Sequence, residues 1–293
     1  MLNVLITGAT GFIGRNLAES LGSAYRISTP NSGKLNLLDE RAVRDYLCAG
    51  RFDVIVHAAG TRGTRRVPAP PDMIERNCRM FFNLVNNEGQ FGKLLYFGSG
   101  AEYDRRSMPP RVQEGYFDTH VPSEAYAFAK YICAKYTERA AKVYNLRLFG
   151  VFGKYEAWDV RFISNACCRT IYGLPIVMRR DVRFDYLHID DLARITRWFI
   201  EGQPRAKAYN VCTGRSRSLG ELAQMVAGVS GKNPEIAVRE EGWGREYSGD
   251  NRRLLEEMGG YEFRDLGECI RELYAWYESG GEQVDPALLR FDG

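Results

Sequence analysis

The sequence is poor in the residues from which metal centres and disulfide frameworks are made. Its three histidines, His57, His120 and His188, are too far apart for the short ligand spacings of a zinc site. Its seven cysteines form no Cys-x-x-Cys pair, and an odd count suits a reducing compartment better than a set of bridges. No apolar run approaches the roughly 20 residues that cross a bilayer, and no charged segment followed by a cleavable apolar stretch opens the chain. There is no polybasic tail either: 40 basic against 37 acidic residues give a net charge of +3, too balanced to point to nucleic acid or a membrane surface. A cytoplasmic location is therefore expected, with no metal, no nucleic acid and no membrane partner.

What the chain does have begins at once. Leu2, Val4, Leu5 and Ile6 form an aliphatic run suited to a buried central strand, and Gly8, Gly11 and Gly14 follow at the spacing G-x-x-G-x-x-G. Glycine at such a turn allows tightness, close approach of a pyrophosphate to the backbone, and close packing of the next helix on the strand. The turn, with Thr10, Phe12 and Ile13 on it, is expected to hold a dinucleotide at the helix N-terminus, where free N–H groups face the phosphate charge.

Further strand-like runs occur at Tyr25–Thr29, Asp53–Ala58, Leu94–Phe97, Tyr144–Leu148 and Tyr209–Cys212, with helical patterns at Asp39–Cys48, Pro71–Asn86 and Glu124–Ala141 between them. This alternation predicts an α/β fold, a Rossmann-type doubly wound parallel sheet. The length of 293 residues suits about two domains. Residues 1–150 read as the dinucleotide-binding domain, with 184–212 returning to it. Residues 151–183 and 213–293 read as a smaller substrate lobe, made of helix Arg161–Tyr172 and irregular pieces.

Two stretches carry chemistry. Tyr126-Ala-Phe-Ala-Lys130 lies on a helix for which Ser123 is the expected N-cap. Residues four apart on a helix share a face, and a cation beside a phenol favours the phenolate, which makes the tyrosine a usable acid or base. The same spacing also arises on an amphipathic helix with a surface lysine. The second stretch, Leu94 to Tyr103, is a hydrophobic strand ending in Gly98-Ser99. In an open parallel sheet the carboxyl ends of strands face the ligand crevice, which places the Ser99 hydroxyl at its mouth.

With these residues in this order, the chain resembles the extended short-chain dehydrogenase/reductase family, whose members act on nucleotide sugars. The resemblance rests on Gly8–Gly14, the strand end His57-Ala58-Ala59-Gly60, Asn77, Ser99, Tyr126, Lys130, Arg147-Leu-Phe-Gly-Val-Phe-Gly153 and Asp185-Tyr-Leu-His-Ile-Asp-Asp191. It implies Ser99, Tyr126 and Lys130 as catalytic residues: Tyr126 exchanges a proton with a sugar oxygen, Ser99 hydrogen-bonds that oxygen, and Lys130 holds the nicotinamide ribose and tunes Tyr126. It also implies His57, Ala58, Ala59, Gly60 and Asn77 on the cofactor side, a nucleoside-diphosphate sugar as substrate, and a homodimer built on the helices Pro71–Asn86 and Glu124–Ala141.

Within the family, the sugar 4,6-dehydratases carry Asp-Glu directly after the hydroxyl residue, where this chain has Gly100-Ala101, so dehydration is not expected. The GDP-fucose synthase-like branch looks most similar. Its epimerising members use a cysteine and a histidine, at positions that correspond here to Ala101 and Arg161, and neither side chain abstracts a carbon-bound proton readily. Plain reduction of a 4-keto (6-deoxy)sugar at C4, in surface-polysaccharide sugar biosynthesis, is the resulting expectation. Gly100, Ala101, Phe149, Arg161 and Arg183 are the candidate substrate contacts.

NAD sites place an acid about twenty residues past the glycine turn, whereas Ser28 to Asn36 contains none. Asn31, Ser32, Lys34, Asn36 and Leu37 are therefore candidate contacts of a preferred NADP(H), with NAD(H) still possible and Arg15 as a further cation. For the substrate diphosphate, Arg179, Arg180, Arg245, Arg252 and the loop Arg62 to Arg66 are further candidates, because Phe184 stands where many members have arginine. The alternatives are a 4-epimerase with tightly bound NAD and a non-catalytic dinucleotide-sensing protein. Retention of Ser99, Tyr126 and Lys130 argues against the second.

Overall fold

The computed structural model describes residues 1–63 and 68–289. The first half alternates β1 (Asn3–Thr7), α1 (Phe12–Leu21), β2 (Arg26–Ser28), α2 (Glu40–Gly50), β3 (Phe52–His57), α3 (Met73–Val85), β4 (Phe91–Ser99), α4 (Ala125–Thr137) and β5 (Val143–Leu148). Then come β6 (Gly150–Phe152), α5 (Phe162–Ile171), β7 (Ile176–Met178), β8 (Arg183–His188), α6 (Ile189–Glu201) and β9 (Ala208–Val211). β10 (Ser216–Ser218), α7 (Leu219–Ser230), β11 (Ile236–Val238), α8 (Arg252–Met258), α9 (Leu266–Glu278) and the short α10 (Pro286–Leu289) follow.

Six strands form one sheet in the order β2-β1-β3-β4-β5-β9, and every pairing in it is parallel. Alternate side chains of a strand go to opposite faces, and both faces of this sheet are covered. Val4, Ile6, Val54 and Val56 pack with Leu17, Leu192, Ile195 and Phe199 of α1 and α6. Leu5 and Ile55 pack on the other side with Val43, Leu47, Phe81 and Leu84 of α2 and α3. This is the doubly wound parallel sheet that the alternating pattern predicts. A separate core of Ile163, Leu222, Val226, Ile270 and Leu273 joins α5, α7 and α9.

Several local expectations change. The block 184–212 divides: β8 pairs with β6 and β10 in a three-stranded sheet, while β9 joins the large sheet beside β5. The stretch after residue 212, read as irregular, contains α7, α8 and α9. A reciprocal Ser218–Glu221 capping box opens α7, and its Ser-x-x-Glu spacing is a legible signal. Ser123 does not cap α4. Glu124 occupies that position without a side-chain bond, and Ser123 Oγ accepts from Arg106 Nη2 at 2.5 Å instead. β4 is longer than Leu94–Phe97, since Phe91 pairs with Phe52 and Ser99 with Leu148. Ser99 is thus the last residue of a central strand.

Candidate active site

The chain leaves β1 towards β2 on one side and returns to β3 on the other, so a crevice opens at the carboxyl ends between β1 and β3. Gly8 stands there with φ +74°, and an added Cβ would lie 2.6 Å from the Ala59 nitrogen. A Cβ on Gly14 would lie 2.3 Å from the Gly8 carbonyl oxygen. No side chain caps the N-terminus of α1, where Gly11 is the N-cap. A bare, positively polarised backbone cradle of this kind fits a pyrophosphate.

A cleft of about 470 Å³ runs from this cradle across the ends of β3, β4 and β5. Gly8, Gly11, Phe12, Ile13 and Gly14 line it, as do Ala58, Ala59 and Gly60. So do Ser99, Ala101, Tyr126, Lys130, Phe149 and Arg161. The sequence candidates from six separate segments therefore meet in one cavity.

Ser99 is set by a buried polar network. Its Oγ accepts from the Ala101 N–H at 3.2 Å, and its own N–H donates to Glu102 Oε1 at 2.8 Å. Glu102 is fully buried, and its second oxygen accepts from Arg147 Nε at 2.6 Å and Asn145 Nδ2 at 2.9 Å. Arg147 Nη1 donates to the Tyr103 hydroxyl, which donates in turn to Asn210 Oδ1. Side chains from the turn after β4, from β5 and from β9 are thus tied behind the serine. The Glu102 carboxylate is consumed in this network, so no acid stands free directly after Ser99.

Lys130 is buried on α4. Its Nζ donates to the Phe97 carbonyl at 2.7 Å and lies 4.5 Å from the centroid of the Tyr96 ring and 5.9 Å from that of Tyr126. Tyr126, one helical turn earlier, carries the Arg62 guanidinium 5.3 Å from its ring centroid.

The opposite wall is built mostly from side chains. Arg105, from the segment after β4, lies 4.5 Å from the Tyr247 ring centroid and 5.8 Å from that of Phe184, and all three line the cleft. Glu156 also lines it and is almost fully buried. It accepts from Ser164 Oγ at 2.8 Å and faces Arg161 Nε at 4.0 Å. Burial pushes its carboxyl up to about 8, with Arg161 acting the other way.

Residues 4–212 match the family described as the NAD dependent epimerase/dehydratase family. The chain belongs to that family. The GDP-L-fucose synthase of Escherichia coli (strain K12) is 26% identical over 315 residues, covering 94% of this chain and 96% of the relative. Among solved structures, UDP-glucose 4-epimerase of Thermotoga maritima with UDP-glucose superposes with a TM-score of 0.81 at 20% identity, over 96% of this chain and 100% of that one. The GDP-mannoheptose C4 reductase of Campylobacter jejuni with NADP bound gives 0.79 at 19% identity, over 94% of this chain and 98% of that one. At these identities the structural likenesses show the fold.

Within this epimerase/dehydratase fold, several candidates take other places than expected. His57 Nδ1 lies 2.8 Å from Thr7 Oγ1, beneath the cleft, and its ring stacks on Tyr96. Burial, with the Lys130 charge nearby, pushes this imidazole down to about 3, so it is neutral. Asn77 does not line the cleft. Its Oδ1 accepts from the Thr61 N–H, while its Nδ2 donates to the Thr61 and Met73 carbonyls and so pins the loop after Gly60. Leu37 is core, packed with Leu5 and Val43, because its alternation in the chain turns it inward. Asn36 is exposed and caps its own turn by accepting from the Leu38 N–H. Gly100 lies behind Phe149, outside the wall, and Thr10 is exposed on the turn.

The cations divide in the same way. Arg183 does not reach the cleft, because its guanidinium donates to the Ser216 carbonyl and lies 3.6 Å from Glu221. Arg179 and Arg180 pair with Glu240, Arg252 with Asp250, and Arg15 with Glu19 and the Tyr155 ring. Arg65 and Arg66 lie outside the described residues. Asn31, Ser32 and Lys34 are exposed on the turn after β2, whose strand runs parallel to β1, so they sit at the same carboxyl end of the sheet as Gly8. The Asp185–Asp191 motif ties loops together: Asp185 accepts from Thr213 and Gly214, and Asp191 from Tyr261 and Arg264.

Sequence reading missed Arg105, Glu156 and Tyr247. Arg105 had a signal, since it follows the Ser99 strand end closely. Tyr247 had none, because it lies beyond the family match and reaches the site only through pairing with β8.

Proposed function

We propose that this protein reduces the 4-keto group of a nucleoside-diphosphate (6-deoxy)sugar, with NADP(H) preferred over NAD(H). The observation that supports this most is the convergence of Ser99, Tyr126 and Lys130 on the cleft that begins at the glycine cradle. Ala101 and Arg161 also line it, and the family resemblance sets them at the positions of an epimerising member's carbon bases. The dinucleotide, when bound, supplies the hydride. Tyr126 delivers the proton to the C4 oxygen, and Ser99 donates a hydrogen bond to the same atom. Lys130, anchored on the Phe97 carbonyl, holds the ribose and keeps a positive charge near the phenol. Arg62, Arg105 and Arg161 receive the diphosphate, for which guanidinium forks are suited. Lys34, Asn31 and Ser32 face the ribose 2′-phosphate, and no acid stands between Ser28 and Asn36 to repel it. The molecule is soluble in the cytoplasm and forms a homodimer through α3 and α4.

Incubation with NADPH and a panel of keto-sugar nucleotides tests this reading, and stoichiometric NADPH consumption is expected. The same three catalytic side chains serve a 4-epimerase, which would interconvert sugars with no net change in NADPH absorbance. Tyr126→Phe keeps the fold and removes the proton donor. Its expected phenotype is unchanged NADPH binding with hydride transfer slower by about 10²–10⁴-fold. Wild-type turnover in this variant would refute the assigned acid.

A further inference from the structure

We propose that Tyr247, carried by the distal lobe, is a positioning residue that aims the Ser99 hydroxyl at the substrate's carbonyl oxygen. The proposal rests on the reductase reading above.

A hydroxyl has one proton and two lone pairs. Ser99 Oγ already accepts the Ala101 N–H at 3.2 Å, and the Tyr247 hydroxyl lies 3.5 Å from it. Either hydroxyl can donate in this contact; the buried phenol has no other hydrogen-bond partner among the described residues, whereas Ser99 lines the cleft, so donation from Tyr247 pairs the buried proton and leaves the serine's to the cleft. Burial pushes the Tyr247 phenol up to about 12, which keeps its proton in place at neutral pH. With both Oγ lone pairs engaged, the serine's own proton is left for an acceptor in the cleft, where the sugar oxygen sits in the proposed reaction. The contact is long, as catalytic hydrogen bonds often are before substrate tightens them.

The surroundings are built to hold the phenol there. Tyr247 is buried, with Phe149 and Phe184 at ring-centroid distances of 5.1 Å and 5.7 Å. Its N–H donates to the Arg183 carbonyl at 2.8 Å, and its carbonyl accepts from Asp185 at 3.1 Å, so β8 fixes its backbone. Gly100 makes room for it: an added Cβ would lie 2.8 Å from the Tyr247 hydroxyl and 2.6 Å from the Phe149 ring. The glycine that follows the catalytic serine is thereby explained, since any side chain there would push the phenol away.

The test is a double-mutant cycle of Tyr247→Phe and Ser99→Ala, read by single-turnover hydride transfer to a GDP-linked 4-keto-6-deoxy sugar. NADPH affinity by fluorescence and thermal unfolding are measured in parallel. Tyr247→Phe should slow hydride transfer about tenfold, the rate equivalent of one hydrogen bond, leave NADPH affinity and KM unchanged, and have no further effect in the Ser99→Ala background. An unchanged rate, or the same fold loss with and without Ser99, overturns the proposal. Should Tyr247→Phe unfold, Gly100→Ala, which displaces the phenol and keeps the ring, replaces it in the cycle. If the wild-type protein fails to oxidise NADPH with every keto-sugar nucleotide in the panel, the reductase reading fails and the proposal falls with it. A failed cycle on an active wild type overturns the proposal alone.

Discussion

The two walls of the cleft are made differently. The wall from Gly8 to Gly14 is backbone: its shape comes from a positive φ at Gly8 and from missing Cβ atoms at Gly8 and Gly14, whose places lie within 3 Å of other main-chain atoms. The facing wall is side chain: Arg105, Glu156, Arg161, Phe184 and Tyr247 come from segments far apart in sequence. A backbone surface can bind any dinucleotide pyrophosphate, because it reads only charge and distance. A side-chain surface can be changed residue by residue without disturbing the sheet, and in the proposed function it is the surface that would choose the substrate.

That contrast can be broken or sharpened by substitution. The largest effect is expected between the walls, at the floor. Glu102→Ala leaves the Arg147 guanidinium buried and unpaired, and should destabilise the protein by about 3–5 kcal/mol in denaturant unfolding, because a lone buried charge has lost both water and partner. Next is the backbone wall. Gly14→Ala forces a Cβ to within 2.3 Å of the Gly8 oxygen, and should cost about 1–3 kcal/mol of stability and at least about tenfold in NADPH affinity by fluorescence titration. A Gly14→Ala protein with wild-type affinity would show that the cradle is not rigid.

The side-chain wall should be the more tolerant. Glu156 moves from an ordinary 4.5 to about 8 on folding through burial, so between these values the folded state holds a proton that the unfolded state has lost. Its contribution to stability therefore falls as pH rises through that window. Glu156→Gln removes the dependence. Urea unfolding at about pH 5 and pH 8 should show the variant gaining stability on wild type as pH rises, and a constant gap would mean that the carboxyl is ionised in the folded protein throughout.

The doubly wound sheet, the glycine turn and the Ser99, Tyr126 and Lys130 positions were legible in the sequence because each is a local pattern: a buried aliphatic run, a glycine period, a strand end, a helical spacing. Ser123 shows the limit of such patterns, since a residue with the right chemistry for a cap was taken by Arg106 from another segment. Leu37, His57 and Asn77 show it too. Each lies beside the site in sequence, yet packing or hydrogen bonding turns it into support.

By itself, then, the sequence determined the class of fold and the wall that backbone conformation makes, since glycine placement and hydrophobic period act over a few residues. Only the tertiary structure decided which cations stay free to face the cleft, and that a tyrosine outside the family match meets the serine. Both depend on which side chains are already paired with carboxylates, or held by β8, from distant parts of the chain.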